Sequence, residues 1–187
     1  TPIVFSSSNP GVVRINNPSS GAADFIGRGT ASVYAQLLTG PIDSAVVSVT
    51  LPAAALSLVS GGNQTAPAGT TEPLPIVAKV AASDGIGVGG VTVNFAVASG
   101  SGTITPASAV SAANGQVSAS WTLGPAAGAQ SVTLTAAGLA GSPITVSATA
   151  LALVASKPVM KTAPASGQAG SVLAAVAVTA QDALGNT

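Results

Sequence analysis

Hydrophobic and polar residues alternate with a period of two through the middle of the chain, between Leu56 and Ala150. This alternation is typical of strands that are half-buried in an antiparallel sheet, because successive side chains point to opposite faces. In the segment around Lys79 it places that lysine outside. The apolar positions predicted to face a core are Ile76, Ala78, Val80, Val91, Val93, Phe95, Val97, Val117, Ala119, Trp121, Leu123, Val132, Leu134, Ala136, Ile144, Val146 and Ala148.

Turn-forming residues separate these segments. Asp84-Gly85 and Asn114-Gly115 are strong hairpin signals, because both central residues of a type I′ turn need a positive φ. Clusters of Gly and Pro at residues 100–102, 125–128 and 138–143 mark further corners. About seven short strands in about 95 residues predict an immunoglobulin-like β-sandwich. We therefore predict an all-β chain.

Three short motifs in this region resemble those of a known family. The run from Val77 to Gly124 contains DGIG, VTVNF and ANGQ, in that order. It resembles the bacterial immunoglobulin-like domains of the invasin and intimin type. The resemblance covers about half of the chain, and it implies a sandwich that serves as a spacer in surface proteins, adhesins and phage structural proteins.

The C-terminal segment repeats the opening of the middle region. LALVASKPVMKTAPASGQAG parallels LSLVSGGNQTAPAG, and VAVTAQDALG parallels AKVAASDGIG, so that Asp182 lies 98 residues after Asp84. Residues 151–187 are therefore predicted to form the first two strands, A and B, of a second sandwich.

The N-terminal segment is predicted to supply the other five strands, C to G. These are PIVFSSS, GVVRIN, AADFIG, ASVYAQLL and SAVVSVTL. FSSSNPGVV and GRGTASVYAQLL resemble a second bacterial immunoglobulin-like family, in which W-S-S-x-x-P and G-x-G-T-A-x-V recur, with Phe5 at the Trp position.

The predicted division of the chain is thus residues 1–53, 54–150 and 151–187, with one sandwich complete and one split between the two ends. The predicted assembly junction consists of the residues that would meet if the end of the chain joined the start: Asp182, Gly185, Asn186, Thr187, Thr1, Pro2 and Phe5. Three arrangements are open. The join is covalent in a tandem array, the tail donates its strands to the next subunit, or the chain is a fragment or folds back to complete itself.

Composition excludes several kinds of chemistry. The chain has no Cys and no His, which excludes Cys/His zinc sites, thiol nucleophiles and histidine acid–base catalysis. Charged residues make up 5% of the chain, with five basic and five acidic side chains, so no basic field exists for nucleic acid. No apolar run is long enough to predict membrane insertion. So few charges favour a surface that is packed in an assembly or covered with sugar.

The remaining candidates for chemistry are weak. The lysines Lys79, Lys157 and Lys161 are not placed to activate a serine, and the carboxylates lie far apart, so we predict neither an enzyme nor a cofactor. Asp84 and Asp182 are predicted to hydrogen-bond their own turns rather than to bind calcium.

Two positions are candidates for contact with sugar. Tyr34 is out of phase with its apolar neighbours, which predicts a surface position and, at best, a weak sugar-stacking site. Asn63-Gln64-Thr65 is a candidate glycosylation sequon. A glycan is therefore a candidate partner.

These observations favour a structural module outside the cell, on a cell surface or a virion surface. We predict a building block of a fibre, stalk or sheath, whose partner is the neighbouring repeat or subunit, head to tail. The alternative is an adhesin or phage decoration module that binds carbohydrate or a host surface through its loops.

Overall fold

The computed structural model describes residues 2–163, 166–172 and 175–187, and every regular element in them is a β-strand. The strands are β1 (Ile3–Ser7), β2 (Val13–Asn17), β3 (Ala22–Phe25), β4 (Gly29–Leu37), β5 (Ile42–Val49), β6 (Ala53–Ser60), β7 (Gln64–Pro67), β8 (Ile76–Ala82), β9 (Thr92–Ser99), β10 (Thr103–Thr105), β11 (Ser108–Val110), β12 (Gln116–Thr122), β13 (Gly128–Thr135), β14 (Ile144–Leu151), β15 (Lys157–Thr162) and β16 (Ala177–Gln181). In this described part of the chain, no helix is long and apolar enough to span a membrane.

The chain divides into two compact units, and the first consists of Thr1–Pro52 with Ala82–Asp84. It contains a three-stranded antiparallel sheet in the order β1-β4-β5 and a two-stranded sheet, β2-β3. Its core is small and consists of Val12, Val13 and Ala31, with Ile15, Val33, Val47 and Val49 partly buried against them.

The second unit consists of Ala53–Ala81 with Gly85–Thr187, and it contains a complete sandwich. One sheet has the order β10-β12-β8-β6 and the other has the order β11-β9-β13-β14-β7. The last strand, β7, runs parallel to β14, whereas the pairs β10–β12, β11–β9, β12–β8, β13–β14 and β13–β9 are antiparallel. This topology confirms the predicted all-β, immunoglobulin-like fold class.

The core of the sandwich lies between these two sheets and follows the period-two pattern. The fully buried positions include Ile76, Val93, Trp121, Leu134 and Val146. Each side chain of this size contributes about 1.5–3 kcal/mol when it is removed from water. The predicted inward faces of strands β8, β9, β12, β13 and β14 are therefore confirmed. Lys79 is half-buried rather than fully outside, and its Nζ donates to the carbonyl of Gly85 at 2.9 Å.

The C-terminal strands β15 and β16 form a separate two-stranded antiparallel sheet in the second unit. Met160 pairs with Val178, and Thr162 pairs with Ala177 after a local irregularity of the register. The division into residues 1–53, 54–150 and 151–187 stays a prediction, since strands alone do not show which of them complete a sandwich together.

Candidate assembly junction

The predicted junction residues occupy two places in the structure. Four of them lie together in the second unit, in the turn that follows β16: Asp182, Gly185, Asn186 and Thr187. Pro2 and Phe5 lie in the first unit, where Pro2 is exposed and Phe5 is half-buried in β1. Thr1 lies outside the described residues.

Asp182 organises the turn that follows β16. Its side chain is 3% exposed, and its Oδ1 accepts hydrogen bonds from the backbone N–H groups of Leu184 and Asn186, both at 2.9 Å. The backbone N–H of Gly185 donates to the carbonyl of Asp182 at 3.2 Å, with φ of Gly185 at 89°, a conformation that favours glycine. The prediction that Asp182 hydrogen-bonds its own turn is confirmed.

These contacts also set the protonation of Asp182. The side chain of Asn186 is the largest cause that lowers the pKa of this carboxyl below its ordinary value of 3.8. Burial acts in the opposite direction, and the backbone N–H groups of Asn186, Leu184 and Gly185 lower the pKa further. A carboxylate that accepts several hydrogen bonds is stabilised in its charged form.

The same turn contacts the complete sandwich through Asn186 and Leu184. Nδ2 of Asn186 donates to the backbone carbonyl of Pro125 at 2.7 Å and to Oδ2 of Asp182 at 2.8 Å. The side chain of Leu184 lies against Gly69, where an added Cβ would come within 2.9 Å of the leucine Cδ1. The turn is therefore attached to the sandwich by one polar and one apolar contact.

The loop that carries Pro125 is held by a buried glutamine. Gln130 is 2% exposed, and its Oε1 accepts from the backbone N–H of Gly124 at 2.7 Å. Its Nε2 donates to the carbonyls of Gly124, at 3.2 Å, and Ala126, at 2.8 Å. Gln130 was not predicted as a buried residue, although it is in phase with the inward-facing Val132 and Leu134.

Asp84 stands where Asp182 stands in the C-terminal repeat, and it belongs to the first unit. Its Oδ2 accepts a hydrogen bond from Nε of Arg28 at 2.8 Å, and the two side chains are each 27% exposed. Nη2 of Arg28 is buried and has no hydrogen-bond partner. The aspartate therefore takes part in an ion pair, which was not predicted from the sequence.

The first unit leaves one strand edge and part of an apolar face uncovered. β3 pairs with β2 alone in the described residues, all of its side chains are exposed, and Phe25 is 71% exposed. In the second unit, by contrast, β12 has β10 on one edge and β8 on the other. Within residues 2–52 the first unit has five strands, β1 to β5, and no counterpart of β8 or β6, and the assignment of these five as strands C to G stays a prediction.

The sheet β1-β4-β5 of the first unit also carries an open pocket of about 210 Å³. It is lined by Phe5, Val33, Tyr34, Ala35, Asp43, Ser44 and Ala45. Because Phe5 pairs with Ala35, and Ala35 with Asp43, these three side chains project from one face of the sheet. Tyr34, predicted to lie at the surface, is instead half-buried.

The C-terminal hairpin β15–β16 also has a strand edge without a neighbouring strand in the described residues. β16 pairs with β15 alone in the described residues, so that no other strand of this part of the chain lies along its second edge. Met160 and Val178 face each other across the hairpin, and both are exposed. Two strands by themselves are marginally stable in water, and such a hairpin gains stability by joining a larger sheet.

The other candidate positions carry little chemistry. Asn63 is exposed, with φ at 56°, so its side chain is accessible, and its glycosylation stays a prediction. Among residues 2–163, 166–172 and 175–187, no group of three or more Asp, Glu, His or Cys side chains could hold a metal ion.

Comparison with solved structures agrees with this fold. The FdeC adhesin of Escherichia coli superimposes with a TM-score of 0.54 at 16% sequence identity, over 86% of this chain and 57% of that one. The chain has the bacterial immunoglobulin-like fold. The predicted resemblance to such domains is confirmed at the level of the fold, which is all that this identity shows.

Two further structures are similar at lower scores. Domains 4 and 5 of the S-layer protein SbsC match at a TM-score of 0.45 and 17% identity, over 81% of this chain and 71% of that chain. The D00-D0 domain of intimin matches at 0.42 and 12% identity, over 81% and 85%. No protein-family model matches the chain, and no curated protein matches it in sequence.

Proposed function

We propose that the chain is a structural building block of an extracellular fibre, stalk or sheath at a cell surface. In it, the hairpin β15–β16 completes the five-stranded sandwich formed by residues 2–52 of the next repeat or subunit. The observation that carries this proposal is that β3 and β16 each have one edge with no neighbouring strand among the described residues. The FdeC fold, which occurs in an adhesin, and the 5% content of charged residues are consistent with a surface location.

The complete sandwich provides the template for this pairing. There β12 pairs with β8, with Gln116 opposite Lys79 and Val117 opposite Ala78. When Asp182 is aligned on Asp84, Ala177 takes the place of Lys79. We therefore expect the start of β16 to lie beside β3, so that the apolar face of the hairpin covers Phe25.

One segment of the tail would change its partner on completion. Gln64-Thr65-Ala66 of β7 pairs in parallel with β14, and Lys161-Thr162-Ala163 is the matching segment of the tail. In this structure Thr162 pairs with Ala177 of β16. In the completed sandwich we expect it to leave β16 and to join β5, as β7 joins β14.

Burial of the uncovered face supplies the driving force. Phe25, Met160 and Val178 are all exposed here, and covering large apolar side chains contributes about 25 cal/mol per Å² removed from water. Main-chain hydrogen bonds along both edges add directionality, as in other cases of strand addition. A head-to-tail joint of this kind does not close on itself and therefore extends into a fibre.

Intact mass under fully denaturing conditions tests how the pieces are joined. A mass far above 17.5 kDa for the native material would show a covalent tandem array. A mass of 17.5 kDa, from material that is polymeric before denaturation, would show strand donation between subunits. Native material that stays monomeric at 17.5 kDa, with Phe25 exposed, would contradict the proposal.

A further inference from the structure

We propose that the turn Asp182–Thr187 and the loop Gly124–Gly128 form a fixed joint, which sets the angle between the complete sandwich and the sandwich that follows it. This inference rests on the proposed function, in which β15 and β16 belong to the following sandwich. It adds an interaction surface, and the partner of that surface is the next completed sandwich of the same kind.

The carboxamide of Asn186 connects the two sides of the joint. Its Nδ2 carries two hydrogens, which are shared between the carbonyl of Pro125 at 2.7 Å and Oδ2 of Asp182 at 2.8 Å. Asp182 in turn holds the backbone of the turn through Oδ1. Because both acceptors fix the orientation of one planar group, the turn can dock in only a narrow range of angles.

An apolar contact supports the polar one. Leu184 packs on Gly69, whose φ is 74° and whose missing Cβ leaves room for the leucine Cδ1. The same glycine donates its N–H to the carbonyl of Gly124 at 3.0 Å, so that Leu184 and Asn186 dock on connected backbone. A side chain at position 69 would close this space and strain the turn.

The receiving loop is held by hydrogen bonds that do not involve the turn. Gln130 donates to or accepts from three backbone groups of residues 124 and 126, on either side of Pro125. Since Gln130 is buried, the loss of these bonds would leave backbone groups without partners. Gln130 is therefore a positioning residue, which orients the carbonyl of Pro125 toward Asn186.

A second instance of the arrangement occurs in the first unit. Arg28 immediately precedes Gly29, which begins β4, just as Ala127 precedes Gly128, which begins β13. Arg28 contacts Asp84, and Ala127 shares a pocket of about 160 Å³ with Asp182. Asp84 follows β8 and contacts the loop before β4, and the turn after β16 contacts the loop before β13 in the same way. The polar contact differs between the two cases.

Amide hydrogen exchange of the full 187-residue chain, followed by NMR, tests the joint. The reporters are the N–H groups of Leu184 and Asn186, which donate to Asp182. The wild-type chain should protect both amides. Asn186→Ala should speed the exchange of Leu184 at least about fivefold, the factor expected from the loss of one net hydrogen bond. The matched control is Asn94→Ala, at an exposed position of β9, which should leave the rate within twofold.

A variant away from the turn separates docking from turn formation. Gln130→Leu leaves every side chain of residues 182–187 in place, yet it should speed the exchange of both amides about fivefold, because the carbonyl of Pro125 is no longer oriented. The fluorescence of Trp121, the one tryptophan of the chain, reports whether the sandwich is folded. If Gln130→Leu does not fold, Gly69→Ala takes its place, because its added Cβ would come within 2.9 Å of Cδ1 of Leu184 and displace the turn without changing any of its side chains.

The outcomes are distinct. The proposed joint would be refuted if the amides of Leu184 and Asn186 exchanged at equal rates in the wild type, in Asn186→Ala and in Gln130→Leu. It would also be refuted if these amides were unprotected in the wild type. Such a result would leave the proposed function standing, since the mass of the native material tests that separately. A monomeric native chain with protected amides would instead refute the proposed function. The contact between the turn and the loop would then stabilise only the single chain.

Discussion

Replacement of Glu72 should stabilise the complete sandwich at neutral pH. Glu72 is 6% exposed, and both of its carboxylate oxygens are buried without a hydrogen-bond partner. Its backbone N–H donates to the carbonyl of Trp121 at 2.8 Å, which fixes the residue at the edge of the core. Burial raises the pKa of Glu72 above its ordinary value of 4.5, because the charged form loses its water.

The sign of the pH dependence follows from this shift. The folded state holds the proton of Glu72 at higher pH than the unfolded chain does, so protonation favours folding. The contribution of Glu72 is therefore most favourable below about pH 4.5, where both states are protonated. It is lost as the pH rises through the raised pKa of the folded state. Acidification from neutral pH toward about pH 4.5 should therefore increase the contribution of Glu72 to the stability of the sandwich.

The size of the effect comes from the cost of an unsatisfied buried group, which is about 1–3 kcal/mol and larger when the group is charged. Glu72→Leu removes both the charge and the polar atoms, and it should raise the free energy of unfolding by about 1–3 kcal/mol at pH 7.5. Glu72→Gln removes the charge alone and leaves a buried amide, so its gain should be smaller. Both variants should lose the part of the pH dependence that comes from Glu72.

Urea unfolding followed by the fluorescence of Trp121 measures this effect, because that side chain is fully buried in the same sandwich. Measurements at pH 7.5 and pH 5 give the pH dependence. The matched control is Asp43→Asn, at an exposed carboxylate of the first unit, which should change the free energy by less than about 0.5 kcal/mol. Glu72→Leu destabilised at pH 7.5, or as pH-dependent as the wild type, would refute this account of the carboxylate.

Three further predictions concern the turns and the open face. Gly124→Ala would place a Cβ against the carbonyl of Gly100, so it should lower the free energy of unfolding by at least about 2 kcal/mol in urea titrations. Asp182→Ala should abolish the protection of the following amides in hydrogen exchange. In the wild-type chain this protection should persist above about pH 3.8 and fade as the pH falls through the lowered pKa of Asp182. Phe25→Ser should reduce polymer size in sedimentation velocity, because it removes apolar surface that completion would bury. Val46→Ser, at a position 74% exposed on β5, is the control, and an equal loss of polymer in both variants would argue against a specific face.

Side-chain alternation was sufficient to predict the sandwich. Val93, Phe95, Trp121, Leu134 and Val146 are all buried as predicted, because a one-residue shift would expose the whole set. The half-buried Tyr34 shows the limit of this reasoning. Its strand belongs to a unit with an uncovered face, so phase alone does not decide its exposure.

The candidate joint could be predicted only in part. Asp182 followed by Gly185 indicates a turn from sequence alone, since Asp favours such turns and Gly tolerates a positive φ. The acceptor in the loop is the backbone carbonyl of Pro125. Because every residue has a backbone carbonyl, the residue type does not show which one accepts a hydrogen bond. Gln130 did leave a signal, a polar residue in phase with a buried face. A buried polar side chain requires partners, so that position could have indicated a structural network.

Under the proposed function, the distribution of charge bears on how neighbouring copies would be joined. Arg14 pairs with Asp24 at 3.2 Å and Arg28 pairs with Asp84, so that four of the ten charged residues are already neutralised in pairs. The surface therefore offers little long-range attraction, and association without electrostatic steering proceeds at about 10⁵–10⁶ M⁻¹s⁻¹.

A strand edge that is exposed before its partner binds is prone to aggregate. Slow association lengthens the time for which the edge is exposed. A covalent link between copies removes the difficulty, because a short linker raises the effective concentration of the two edges to the millimolar range. The low charge thus favours the tandem arrangement over donation between free subunits. If β15 and β16 complete a sandwich as proposed, that completion should depend little on salt.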